Sequence, residues 1–164
     1  YGRYSQEKGL DLRLLTSQVF PTYHQLDDTV ERRNIVAGLL RDANQGIIPL
    51  VNYNDGVDPT EVTRDNDTLS ARIAKALNVD RLVILTDVDG LLDANGSLIR
   101  RVREIDDNTK ALCNNNGNGT GGMLTKLEAA DLLLREGIPT IIGNTRYGLL
   151  KLIENERIRT IFTK

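Results

Sequence analysis

The sequence predicts an α/β fold, a mostly parallel open sheet with helices on both faces (an α/β/α sandwich). Three continuous apolar runs rich in β-branched residues are too short for helices and are typical of strands buried on both faces. They are IIPLVN at 47–52, RLVILTD at 81–87 and IPTIIGN at 138–144. Segments with helical spacing of apolar residues alternate with these runs, as in parallel sheets. The 164 residues suffice for one core, so we predict a single domain over 1–164.

The other elements follow from local pattern. Residues 1–8 have helical character without a cap, and LDLRLLTSQ at 10–18 predicts a short strand. Helices are predicted at 27–44, 67–77 and 123–136, where apolar residues recur at helical spacing. Residues 97–105 predict a short strand or turn, 147–154 a short helix and 157–164 a final strand.

Composition excludes several classes of partner. The net charge is -2 with 27% charged residues and no Lys/Arg stripe, which argues against a nucleic-acid or membrane surface and favours a small-molecule partner. A single cysteine allows no internal disulfide or thiolate metal site and fits a reducing, cytoplasmic location. No apolar run has the length of a membrane span, and the first residues do not resemble a signal peptide. We interpret the lone His24 and Cys113 as structural.

Each of the three apolar runs ends in polar residues: NYND, VDG and TRYG respectively. Ligands of open α/β sheets bind beyond the carboxyl ends of the strands. The sequence therefore predicts that these polar clusters face one site.

The stretch GTGGMLTK at 119–126 carries three glycines and a lysine. It does not follow a strand, as a dinucleotide fingerprint must, and Lys126 does not adjoin a glycine, as in a Walker A loop. Two interpretations stay open. One is a mobile linker with a solvated lysine; the other is a glycine-rich turn at a helix N-terminus that binds an anion, with Lys126 adding charge in about the first turn.

Two further clusters also have two interpretations. Asn52, Asn54 and Asp55, followed by Asp65, Asn66 and Asp67, are common turn residues, and Asp67 is placed to cap the helix after it. The same amides and carboxylates suit a ligand with an ammonium group. Asp89-Gly90 is a turn signal, but Thr86 and Asp87 end a strand where a nucleotide would approach.

Taken together, these motifs resemble the amino acid kinase family, and within it the members that phosphorylate the γ-carboxylate of glutamate. The resemblance is carried by NYND at 52–55, RDNDTLSARIA at 64–74, LVILTDVDGLL at 82–92, GTGGMLTKLEAAD at 119–131 and GIPTIIGN at 137–144. The order and spacing of these motifs agree with the family across nearly the whole chain.

The resemblance implies a role for each matching residue. Asp55 and Asn66, with Asn52, would hold glutamate; Asp67 would orient the catalytic lysines, of which Lys126 is one. Thr86 and Asp87 would contact the nucleotide. The loop around the ATP phosphates would comprise Thr120, Gly121, Gly122, Met123, Leu124, Thr125 and Lys126. ATP and Mg²⁺ are the implied cofactors, with no protein metal ligands assigned.

The implied reaction makes L-glutamyl 5-phosphate, the first step of proline biosynthesis, in a cytosolic homo-oligomer coupled to glutamyl phosphate reductase. In-line transfer brings several negative oxygens together, so it depends on positioning and charge neutralisation. The carboxylate acceptor is already ionised at pH 7 and needs no general base. Two alternatives are a family member with another carboxylate or phosphate acceptor, and a non-catalytic nucleotide- or amino-acid-binding fragment.

The sequence departs from the family pattern in several places. Tyr53 stands where the family usually has glutamate, and Arg64 where it has glycine. The segment after TDVDGLL is short, no lysine-bearing first strand precedes Tyr1, and no RNA-modification-type domain follows. The chain thus resembles the C-terminal two-thirds of a kinase domain, N-terminally incomplete, and we expect it to be inactive alone.

Overall fold

In a computed structural model of the chain, residues 14–57, 66–113 and 120–164 are described, with the backbone alone at 120 and 121. The chain divides into two compact units, residues 1–61 and 62–164, and each is described by itself. The prediction that both belong to one kinase domain stays a prediction.

The first unit is a small parallel β-α-β arrangement. Its elements are β1 Thr16–Val19, α1 Tyr23–Asp27, α2 Thr29–Asn44 and β2 Ile48–Val51. The two strands pair in parallel, with Thr16 opposite Ile48 and Val19 opposite Val51. Asp28 caps α2: its carboxylate accepts hydrogen bonds from the backbone N–H groups of Glu31 and Val30, each at 2.8 Å, and these bonds lower the Asp28 pKa.

Burial of β2 differs from the prediction. Ile48 and Leu50 are each 46% exposed, so the expectation of a strand buried on both faces is wrong for this run. The helix α2 packs against β2, while alternate residues of the strand point to the opposite face and stay half exposed.

The second unit holds the larger sheet. Its elements are α3 Asn66–Leu77, β3 Leu82–Thr86, β4 Arg101–Val102, α4 Asp107–Ala111, α5 Thr120–Arg135, β5 Thr140–Asn144, α6 Leu149–Glu154 and β6 Arg159–Phe162. Strand order is β3-β5-β6-β4; β3 runs parallel to β5 and β4 parallel to β6, whereas β5 and β6 are antiparallel. Three of the four strand pairings described in the chain are thus parallel.

Helices cover both faces of this sheet. On one face Ile142 of β5 shares a buried cluster with Leu127 and Leu133 of α5. The next residue, Gly143, faces the other way, and a Cβ built on it would collide with Leu152 of α6. The predicted α/β class, with a mostly parallel sheet between helices, is confirmed.

Most of the predicted elements are present with shifted ends. The helix expected from 123 begins at Thr120, so Gly121 and Gly122 lie inside its first turn. The strand expected at 10–18 is seen as Thr16–Val19, and the predicted helix at 1–8 lies outside the described residues. The five-residue helices α1 and α4 were not predicted because they are too short to show a helical period. Among the described helices, none has the length and apolar character needed to cross a membrane.

Candidate active site

A cleft of about 360 Å³ lies in the second unit, at the carboxyl end of β3. Three segments form its walls: the loop that follows β3, the first two turns of α5 and the residues just after α4. The described residues that line it are Thr86, Asp87, Val88, Gly90, Leu91, Leu92, Leu112, Cys113, Gly122, Met123 and Lys126. Four sequence-predicted nucleotide residues meet there with Lys126: Thr86, Asp87, Gly122 and Met123.

Residues 86–91, which we call the β3 loop, are tied down at both ends. At the strand end, the Thr86 hydroxyl donates to the Asp87 carboxylate at 3.1 Å, and the Asp87 carbonyl accepts from the Asn144 amide at 2.7 Å. At the other end, the backbone N–H of Leu91 donates to the Thr160 hydroxyl at 2.9 Å. The loop therefore presents a fixed wall to the cleft.

Gly90 is required by the shape of this loop. Its φ of 149° lies in a region that residues with a side chain rarely adopt. A Cβ at this position would also collide with the Thr160 hydroxyl oxygen and lie 3.0 Å from the Thr160 backbone nitrogen. The turn signal at Asp89-Gly90 thus marks a close backbone approach beside the cleft.

An ion pair joins α3 to α5 at the edge of the cleft. Lys126 Nζ lies 2.8 Å from Asp67 Oδ2, and the two side chains are only 17% and 16% exposed. Asp67 is the second residue of α3, and its carboxylate contacts Lys126. Lys126 lies in the second turn of α5, deeper than the sequence predicted. The carboxylate fixes the position of the ammonium group, and Lys126 lines the cleft.

The predicted phosphate loop is divided by the geometry of α5. Gly122, Met123 and Lys126 line the cleft, whereas Leu124 and Thr125 are not among the lining residues. The Thr125 hydroxyl donates to the Gly122 carbonyl at 3.0 Å, a contact within the helix. Thr120 and Gly121 contribute helical backbone, and the first N–H groups of a helix are free to bind an anion.

One wall of the cleft is apolar, and of its residues the sequence analysis assigned only Met123 to the nucleotide site. Leu91, Leu92, Leu112, Cys113 and Met123 line this part. Cys113 is 8% exposed, and burial raises the pKa of its thiol, so it is a neutral side chain at pH 7. Residues 112 and 113 carry no periodicity or motif, so no signal in the sequence marks them as part of a site.

The predicted acceptor residues belong to both units. Asn52 and Asp55 are exposed in the loop after β2, whose backbone is anchored by a 3.1 Å hydrogen bond from the Asn52 N–H to the Val19 carbonyl. Tyr53, the departure from the family pattern, is buried and packs on Tyr23 with ring centroids 5.2 Å apart. Its ring belongs to the core of the first unit.

Asn66 begins α3 in the second unit and is exposed. Arg64 and Asp65 lie outside the described residues. Among the described residues, no group of three or more His, Cys, Asp or Glu side chains is arranged to hold a metal ion.

The model of the amino acid kinase family matches residues 4–144, a span that includes the β3 loop, Asp67 and Lys126. The chain belongs to the amino acid kinase family. A solved structure of similar fold, the crystal structure of project APE1968 from Aeropyrum pernix K1, has a TM-score of 0.53 and 29% sequence identity, covering 82% of this chain and 45% of that one.

Curated relatives are named glutamate 5-kinase. That of Shewanella woodyi is 40% identical over 161 residues, covering 92% of this chain and 43% of the relative. That of Carboxydothermus hydrogenoformans is 41% identical over 129 residues, covering 73% and 35%. That of Symbiobacterium thermophilum is 37% identical over 161 residues, covering 92% and 62%. The chain therefore spans between about one third and two thirds of the length of these amino acid kinase relatives.

Proposed function

We propose that the protein transfers the γ-phosphate of ATP to the γ-carboxylate of L-glutamate and so makes L-glutamyl 5-phosphate. The observation that carries the proposal is Lys126 beside a cleft, with its ammonium group 2.8 Å from the Asp67 carboxylate. The family and the names of the relatives supply the reaction class and the acceptor.

The cleft supports the nucleotide half of the proposal. Its apolar wall, with Leu112 and Cys113, suits a flat base, while the start of α5 and Lys126 offer N–H groups and positive charge to phosphates. The β3 loop precedes both parts in sequence, and its Thr86 and Asp87 supply polar groups to the cleft. One cleft thus has the apolar and cationic features that ATP requires.

The proposed role of Lys126 is to neutralise charge. Transfer between ATP and a carboxylate brings negative oxygens together, and a positioned ammonium group stabilises the charge that develops on them. Asp67 holds that ammonium group in place before the substrates arrive, so little reorganisation is needed. The acceptor carboxylate is ionised at pH 7, and the reaction needs no side chain as a general base.

Magnesium fits this site as a companion of the nucleotide. Mg²⁺ is usually held by one or two carboxylates together with substrate phosphates. Asp87, which lines the cleft, is the carboxylate that would share in holding it. When bound, the ion would neutralise phosphate charge.

The acceptor half rests on Asn52, Asp55 and Asn66. Amide oxygens and a carboxylate can accept hydrogen bonds from an ammonium group, and amide nitrogens can donate to a carboxylate, which matches an amino acid. Because an acyl phosphate is reactive in water, we also propose coupling to glutamyl phosphate reductase. The expected cytoplasmic location and homo-oligomeric state remain part of the proposed function.

The test is ADP release by the protein at its full natural length, with ATP and Mg²⁺ and one acceptor at a time. The panel is L-glutamate, L-aspartate, N-acetyl-L-glutamate and a nucleoside monophosphate. We expect L-glutamate alone to stimulate release. If another compound of the panel stimulates ADP release, the protein is a kinase with that compound as its acceptor. If the protein binds ADP but no compound stimulates ADP release, it is a non-catalytic binding protein.

A further inference from the structure

Asn144, the last residue of β5, links two strand ends beside the cleft. We propose that Asn144 is a positioning residue for the nucleotide: it fixes the β3 loop in the shape that the ligand meets. This inference rests on the proposed function, because it takes the ligand of the cleft to be a nucleotide.

Both polar atoms of the Asn144 side-chain amide form hydrogen bonds. The amide nitrogen donates to the Asp87 carbonyl at 2.7 Å, and the amide oxygen accepts from the Arg146 N–H at 3.0 Å. A backbone N–H can only donate, so the group facing Arg146 must be the oxygen, and the nitrogen must face Asp87. The residue is 7% exposed, so water does not readily replace these bonds.

A second contact to the same loop is weaker. Arg146 Nη2 lies 2.7 Å from both carboxylate oxygens of Asp89, but the two side chains are 58% and 34% exposed. Ion pairs of that exposure contribute little to stability. Thr160 fixes the end of the β3 loop at Leu91. Among the described residues, Asn144 is the buried side chain that fixes the other end, at Asp87.

Loss of the hydrogen bond between Asn144 and Asp87 would release this end of the β3 loop and alter the cleft. Six of the eleven described lining residues belong to 86–92, and Asp87 itself is one of them. Asn144 is not among the lining residues, so any effect it has on a nucleotide must pass through the loop. That separation makes the inference testable.

Two substitutions remove the amide group that bonds the Asp87 carbonyl, and their side effects differ. Asn144→Ser keeps an oxygen that can cap the turn at 145–147 and adds no charge, but leaves a small void. Asn144→Asp keeps the volume and the cap but adds a charge. Asn155→Ser is the matched control: Asn155 is exposed and caps the turn at 156–158 by accepting from the Arg157 N–H at 3.0 Å.

Two measurements decide the inference. Hydrogen exchange of the amides of residues 87–91 is followed without ligand, and ADP affinity is measured by calorimetry. In both Asn144 variants we expect exchange about tenfold faster and ADP binding about tenfold weaker, with Asn155→Ser like the wild type.

Unchanged exchange and affinity in the Asn144 variants, with normal ADP binding by the wild type, would overturn this inference alone. Weaker ADP binding in Asn144→Asp but not in Asn144→Ser would indicate charge repulsion and would also overturn it. A wild-type protein that binds no ADP would instead contradict the proposed function, and the nucleotide role of Asn144 would be lost with it.

Discussion

The cleft of the second unit and the loop after β2 in the first unit are built in different ways. In the cleft, the candidate functional groups have partners with little exposure: Lys126 is paired with the partly buried Asp67, and the Asp87 carbonyl with the buried Asn144. In the loop after β2, the fixed parts are the backbone and the Tyr53 ring, whereas Asn52 and Asp55 are exposed. Under the proposed function, the cleft that would bind the phosphates is preorganised, whereas the acceptor residues of the first unit are positioned through their backbone.

The largest effect should come from removing the ammonium group of Lys126. In the protein at its full natural length, Lys126→Met should lower kcat by on the order of 100-fold or more, because a charge that stabilises the transition state is removed. Glutamate-dependent ADP release measures it. The control is Lys75→Met, whose ion pair with Glu136 at 2.6 Å is exposed on the surface; kcat should change by less than about twofold. A Lys126→Met enzyme with near-normal kcat would contradict the role of Lys126.

A substitution of Gly90 tests how rigid the β3 loop of the cleft is. Gly90→Ala forces a Cβ onto a strained φ and into Thr160, so we expect a loss of about 2 kcal/mol or more in the free energy of unfolding. Thermal unfolding should show a Tm lower by roughly 5 °C. Gly96→Ala is the control, since its φ of 78° is also strained but no atom lies within 4 Å of the added Cβ. Equal Tm losses in both variants would mean that the approach of Thr160 is unimportant.

The sequence predicted most strands and the longer helices, because buried strands and amphipathic helices have clear periods, as in β3, β5 and α5. It also predicted the residue types of the cleft, since Thr86, Asp87 and Lys126 belong to recognisable motifs. It did not predict the pairing of Asp67 with Lys126 from the residues alone, because those residues are 59 positions apart. Nor did it predict Asn144 or Thr160 as anchors, since a hydrogen bond to a distant carbonyl or N–H leaves no local pattern.

A substitution of Asn66 tests whether this residue binds the acceptor. Asn66→Ala should raise KM for glutamate by about tenfold while leaving KM for ATP nearly unchanged, because the lost contact is to one substrate. Steady-state kinetics with each substrate varied in turn provides the measurement, and the ATP value serves as the internal control. Equal changes in both KM values would show that Asn66 only helps to begin α3.

The smallest effect concerns Cys113 in the apolar wall. Because burial raises the pKa of its thiol, the reactive thiolate is scarce at pH 8 and alkylation by iodoacetamide should be slow, rising as pH increases. Bound ADP should slow it further, by about threefold or more, by covering the cleft. Mass spectrometry of residue 113 follows the reaction. Alkylation that ADP leaves unchanged would argue that the base does not lie against this wall.

The most direct test of the central claim, that Lys126 neutralises nucleotide phosphates, compares the affinities of ADP and adenosine. Calorimetry with the wild type should show ADP bound more tightly than adenosine by about tenfold or more. In Lys126→Met that preference should largely disappear while the adenosine affinity stays within about twofold of the wild type. If Lys126→Met keeps the full preference for ADP, Lys126 does not contact the phosphates and the account of the cleft is contradicted.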